Sequence, residues 1–220
     1  MNNKTSNELN GLISQMLKPL QNISLSVIIE GISAFKIRPF DEKDKNDQEL
    51  LKKLIKVANN TGIAINSSGI ESARPNEVGN AIESFVKDQL NKINLNANTP
   101  KTNNKKGKST GYPDIEFTFK NKINYLECKT YAEGKDSGTM RSFYLSPSEN
   151  FKITQEAHHF LLAFEIYISS TSGTINIYKC KSWKLLSLEN LKCDLKYEFN
   201  SNNNRLYDES LIITSGKIKN

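Results

Sequence analysis

The sequence predicts a mixed α/β fold, in which a mixed β-sheet is flanked by helices and preceded by a helical amino-terminal extension. Three observations carry that prediction. Residues 115–130 alternate apolar and polar side chains around the polar turn Lys120-Asn121-Lys122, the pattern of two paired strands. Val78, Ile82, Phe85, Val86 and Leu90 recur at helical spacing just upstream. Residues 160–168 form a strongly apolar run suited to a buried strand, and Gly173 turns the chain into a further strand at 174–178. Elements in this order fit a sheet covered by helices.

The remaining segments follow in chain order. Thr5-x-x-Glu8 resembles a capping box and leads into Leu9, Leu12, Ile13, Met16 and Leu17, a short helix. Residues 24–29 are apolar and read as either a strand or a buried helix. A charged linker, 41–47, precedes Leu50, Leu51, Leu54, Ile55 and Val57, a helix for which Gly62 offers a stop. Residues 74–90 read as an amphipathic helix with Pro75 in its first turn. Residues 139–145 read as a strand ending before Pro147, and 151–158 as a helix. Trp183, Leu185, Leu186, Leu188 and Leu191 suggest a packed segment after the core, and residues 200–205 a polar loop before a frayed end. This organisation divides the chain into an extension, 1–70, and a core, 71–220.

At 220 residues, with 37% hydrophobic and 25% charged residues, the chain suits one domain with a sizeable core. The net charge of +6 is compatible with a polyanionic partner. Its distribution says more: Lys101, Lys105, Lys106 and Lys108 crowd one segment, with no acid between Thr99 and Tyr112. Such a loop can bind backbone phosphates or simply be solvated. No segment is apolar for 18 residues, so a membrane span is not expected. The amino terminus lacks the apolar core of a secretory signal. Cys128, Cys180 and Cys193 have no CxxC pairing and read as reduced thiols of a cytoplasmic protein. Adjacent histidines diverge on a helix or strand, so His158-His159 reads as a helix end or a nucleic-acid-facing surface rather than a metal pair. No glycine-rich phosphate loop or nucleophilic-serine signature is present.

The segment that carries chemistry is Gly111-Tyr112-Pro113-Asp114, followed thirteen residues past the aspartate by Glu127-Cys128-Lys129. Side chains alternate along a strand, so Glu127 and Lys129 share one face and Leu126 and Cys128 the other. Hairpin pairing then brings Asp114 beside that face. Two carboxylates and a lysine suit holding Mg²⁺ and a water against a phosphodiester. Asp114, Glu127 and the backbone carbonyl of Cys128 are the candidate metal ligands. Lys129 is the candidate stabiliser of developing charge. Glu83, at the edge of the apolar stripe upstream, is a candidate auxiliary acid, and Glu77 a weaker one. Glu116 shares Asp114's parity and either assists the metal or is solvated. The competing reading is an exposed hairpin whose charges face water.

This Pro-Asp…Glu-Cys-Lys pattern resembles the core of the PD-(D/E)XK nuclease superfamily, and the whole chain is most similar to type II restriction endonucleases. The resemblance implies a restriction-endonuclease-like core and Mg²⁺-dependent, site-specific hydrolysis of double-stranded DNA. It assigns metal binding to Asp114 and Glu127, nucleophile positioning or activation to Lys129, and an auxiliary role to Glu83. It further implies a homodimer and a cognate DNA methyltransferase acting alongside. In that setting Lys101, Lys105, Lys106, Lys108 and Arg141 are candidate DNA contacts, and residues 1–70 either belong to the same domain or serve to dimerise the protein or clasp DNA. A nuclease acting on branched or damaged DNA and a catalytically silent DNA-binding module are the alternatives.

Overall fold

The computed structural model describes residues 3–16, 18, 20–104, 111–135, 143–197 and 201–214. Lys105, Lys106, Lys108 and Arg141 lie outside the described residues. In chain order the elements are α1 (Asn3–Met16), β1 (Ile23–Ser24), α2 (Leu25–Ser33), α3 (Lys45–Ser68), β2 (Ile70–Ser72), α4 (Pro75–Lys92), β3 (Ile115–Phe119), β4 (Lys122–Ala132), β5 (His158–Ser172), β6 (Ile175–Ser187), β7 (Lys192–Cys193) and α5 (Asn203–Leu206). Two units emerge. One comprises Met1–Asn22 and Cys193–Asn220, the other Ile23–Lys192. Within the first, Asn22 N–H donates to Asp194 Oδ1 at 2.9 Å and Leu195 N–H to the Leu20 carbonyl at 2.9 Å. The second holds the five-stranded sheet, the core and every candidate site residue that is described.

The sheet runs β2-β6-β5-β4-β3. The β3–β4, β5–β6 and β2–β6 pairs are antiparallel, whereas β4 and β5 are parallel, so the predicted mixed sheet is present. The β3–β4 hairpin closes through Lys120 (φ 48°) and Asn121 (φ 61°). Two successive left-handed residues make a primed turn, whose twist matches that of paired strands. Lys122 already belongs to the ladder, opposite Phe119.

Helices α3 and α4 pack against this sheet and each other. Leu50, Leu54, Val57 and Ile65 from α3 meet Val78, Ile82, Val86 and Leu90 from α4 over Phe117, Leu126, Leu162 and Phe164 of the strands. Each aliphatic side chain buried in this way contributes about 1.5–3 kcal/mol. Asp44 caps α3, accepting from the N–H groups of Asn46 and Asp47.

Several segments depart from the sequence reading. The apolar stretch at 24–29, open between strand and buried helix, is mostly the helix α2, which buries Leu25, Ile29 and Ser33 at helical spacing; the segments that follow differ outright. Gly62 does not stop α3; it lets the helix approach β6, where a β-carbon at this position would stand 3.4 Å from Cys180 Sγ. The helix ends at Gly69, whose φ of +70° and tight approach to Ile177 both favour glycine. Residues 151–157 are not helical. Their polar groups are engaged by distant partners instead: Thr154 N–H donates to Tyr125 Oη, and the Ala157 carbonyl accepts from Arg38 N–H. The expected strand at 139–145 lies outside the described residues over 139–142, and 143–145 are irregular. The segment containing Trp183 and Leu185 is not an appendage after the core but part of β6. His158 and His159 open β5, 4% and 1% exposed, rather than ending a helix or facing outward.

Candidate active site

The hairpin register places the charged motif. Ile115 pairs with Leu126, so the next position puts Asp114 opposite Glu127. Asp114 Oδ2 accepts from the backbone N–H of Cys128 at 2.8 Å. Lys129 Nζ lies 2.6 Å from Glu127 Oε1; the glutamate side chain is 4% exposed and the lysine side chain 32%. Leu126 and Cys128 point the other way, into the hydrophobic core. Helix α4 crosses nearby, and a β-carbon at Gly79 would stand 3.8 Å from Thr130 Oγ1. One turn further along, half-buried Glu83 is close enough to feel the charges of Asp114 and Lys129. The structure therefore gathers Asp114, Glu127, Lys129 and Glu83 at the end of the β3–β4 ladder.

Burial dominates the electrostatics. It pushes Glu127 up to about 7, with the Asp114 charge adding to the rise and Lys129 opposing it. Glu83 is raised for the same reasons, burial first and Asp114 second, against Lys87, Lys152 and Lys129. Burial works to lower Lys129, but the charge and hydrogen bond of Glu127, with help from Asp114, outweigh it, and its pKa is raised. Glu127 and Asp114 thus favour the ammonium form of Lys129. The buried Cys128 thiol is pushed well up by burial and the surrounding acids, so it stays protonated.

Comparison with known proteins identifies the family. Residues 19–210 match the type II restriction enzyme MjaV family. The chain is also 40% identical to the type II restriction enzyme MjaV of Methanocaldococcus jannaschii, over 96% of each chain. The chain belongs to the type II restriction enzyme MjaV family. No solved structure matches it.

Other candidate residues of this MjaV-family chain fall into place around the cluster. Glu116 is half-buried on β3, and its pKa is raised by burial while Lys101 opposes the rise. Its backbone is bridged to Asn98, which joins the segment after α4 to the edge strand. Lys101 is exposed nearby. Glu77 accepts from Ser72 Oγ at 2.8 Å, tying the start of α4 to β2. The sequence reading missed Lys152 behind the motif and gave Tyr112 and His159 no part in holding it. Lys152 donates to the carbonyls of Gly111 and Pro113. Tyr112 Oη and His159 Nδ1 are 2.7 Å apart. Burial lowers His159 to about 3, so its ring is neutral. Only the Gly-Tyr-Pro turn hinted that something must grip this loop.

Type II restriction enzymes generally use a divalent metal. Among the described residues, no set of three or more His, Cys, Asp or Glu side chains is assembled into a ready-made cage. The donors nonetheless suit a hard cation that keeps much of its water, for which one or two carboxylates suffice. Glu127 Oε2 is buried without a hydrogen-bond donor among the described residues, a costly state for a carboxylate oxygen that a cation would relieve.

Proposed function

We propose that this chain is a Mg²⁺-dependent endodeoxyribonuclease of the restriction type, hydrolysing phosphodiester bonds in double-stranded DNA at a short specific sequence. The observation that carries this reading is the convergence of Asp114, Glu127 and Lys129 where β3 leaves β4. Asp114, Glu127 and the carbonyl of Cys128 would hold the metal, with Glu83 as an auxiliary acid. A Mg²⁺ ion held there would supply neutralisation of the phosphate oxygens and a more acidic water.

The chain's own groups do the rest. Lys129, fixed as an ammonium by Glu127, offers positive charge to the attacking water and to the phosphorane-like transition state. Burial of Glu127 keeps bulk water from screening these charges. Lys101, together with Lys105, Lys106, Lys108 and Arg141, would bind the DNA backbone and fix its register. Two copies related by a two-fold axis would cut both strands of a palindromic site. Residues 71–220 form the nuclease core in this reading, with 1–70 joined to the same domain or used in dimerisation or DNA clasping. The protein would work in the cytoplasm, alongside a methyltransferase that protects host sites. Among the described residues no helix is long and apolar enough to cross a membrane.

Incubating the purified protein with plasmid and phage DNA, in Mg²⁺ or in EDTA, tests the proposal. Discrete fragments in Mg²⁺ alone are expected. A smear or junction-only cutting would place the activity with other nucleases of the superfamily, and binding without cutting would overturn it.

A further inference from the structure

Lys152 is 2% exposed, yet it sits in a stretch without regular secondary structure. An ammonium is expensive to bury unless its hydrogens find oxygen acceptors. Here Nζ reaches the carbonyl of Gly111 and, at 2.8 Å, that of Pro113. Between those carbonyls sits Tyr112, which is gripped through its side chain. Its ring packs edge-on to Phe143 at 5.2 Å and stacks on His159 at 5.8 Å. Three consecutive residues are thus held, and the next is Asp114. Gly111 has φ +84°, a conformation that other residues adopt only at a cost, so the turn needs both its glycine and its clamp.

The Pro113 carbonyl matters most. By continuation of the hairpin register it lies at the position opposite Cys128. Lys152 takes this acceptor out of the β-ladder. The Cys128 N–H bonds to the Asp114 carboxylate instead, at 2.8 Å. The clamp and the placement of Asp114 are two sides of one arrangement.

We propose that Lys152 is a positioning residue for DNA cleavage: by holding the Gly111 and Pro113 carbonyls it sets Asp114 against Glu127 for metal binding. The inference rests on the nuclease reading of the site. The clamp acts on the backbone that carries Asp114, and the Lys152 charge also opposes the burial-driven rise in the pKa of Glu83. A neutral donor would supply the hydrogen bonds without that field.

The test compares wild type with Lys152→Met, Lys152→Arg and Asp114→Asn. Mn²⁺ binding to the DNA-free protein is measured by calorimetry, with Mg²⁺-dependent cleavage and thermal melting in parallel. Residues that orient metal ligands typically affect metal affinity by about 10- to 100-fold, and K152M should weaken Mn²⁺ binding within that range. Its cleavage should recover in part at high Mg²⁺, and K152R, which keeps the charge, should fall between. Wild-type Mn²⁺ affinity in a folded K152M overturns the inference, as does a loss of activity matched only by a lower melting temperature. Should K152M fail to fold, K152R decides: weakened Mn²⁺ binding supports the clamp, and unchanged binding refutes it. Wild-type metal affinity in D114N would strike at the site itself, and the inference would fall with it.

Discussion

Replacing Glu127 by glutamine should stop cleavage while stabilising the metal-free protein at pH 8. Glutamine has the shape of the protonated acid, and its Oε1 can still accept from Lys129. The carboxyl has a folded pKa of about 7 against an ordinary value of 4.5, because burial and Asp114 disfavour its charge. Between those values the folded chain holds a proton that the unfolded chain has released. Stability therefore falls as pH rises through this window, by about 3 kcal/mol once both states are ionised. The variant escapes that loss. In EDTA at pH 8 it should be more stable by about 3 kcal/mol, or roughly 6–12 °C in Tm for a chain of this size. At pH 5 most of the gain should vanish, leaving under about 1 kcal/mol. Saturating Mg²⁺ should raise the wild-type Tm and leave that of the variant unchanged. Urea and thermal unfolding at the two pH values give the comparison directly. A variant no more stable than wild type at pH 8, or equally stabilised at both, would refute the reasoning.

Lys129→Ala should lower the cleavage rate by at least about 10²-fold, as expected for loss of a charge-stabilising donor, with a cooperative melt retained; wild-type turnover would remove Lys129 from the mechanism. His159, held neutral with a pKa of about 3, should make the protein acid-sensitive. The unfolded chain gains a proton as pH falls below about 6.5 while the folded chain does not, so stability drops by about 1.4 kcal/mol per pH unit towards pH 3. His159→Phe should flatten that slope in urea titrations, and an unchanged slope would contradict the assignment. Neutralising Lys105 and Lys106 together should reduce the slope of log affinity against log salt by about 0.9 for each phosphate no longer neutralised, measured by filter binding in Ca²⁺. A slope equal to wild type would discard the basic segment as a DNA-binding element.

The hairpin and α4 were legible because local chemistry decides them. Alternation through Ile115, Phe117 and Phe119 needs only one buried face, and the stripe Val78, Ile82, Val86 and Leu90 fits a helix alone. The grouping of Asp114, Glu127 and Lys129 followed from strand parity and a short turn. Other features depend on partners remote in sequence. The parallel pairing of β4 with β5 joins Cys128 to Leu162, and nothing in either strand names the other. Residues 151–157 carry a helical pattern, but Tyr125, Arg38 and the Gly111–Pro113 carbonyls claim their polar groups. Gly62 and Gly69 look alike in the sequence; one admits Cys180 and the other ends the helix, a difference set by packing on β6. The two histidines were misplaced for the same reason. The ring nitrogens of His158 meet Asp47 Oδ1 and the Arg38 carbonyl, partners that only the folded chain supplies.

The position of proline in the motif has a backbone consequence that links strand pairing to chemistry. In an antiparallel pair the N–H and C=O of one residue point to the same neighbour. The Cys128 N–H points to Asp114, so its carbonyl also faces the β3 side, one step past Asp114 opposite Glu127. The residue that would continue the ladder there is Pro113. Proline has no N–H to offer the Cys128 carbonyl, and its own carbonyl is taken by Lys152. The paired ladder accordingly ends at Ile115, and Pro113 cannot bond the oxygen of Cys128 through an N–H. An alanine or valine at 113 could extend the ladder over the same oxygen. In the proposed nuclease reading, a ladder that ends here would turn the Cys128 carbonyl toward Asp114 and Glu127 and so offer oxygen donors to a hard cation without a loop built to carry them.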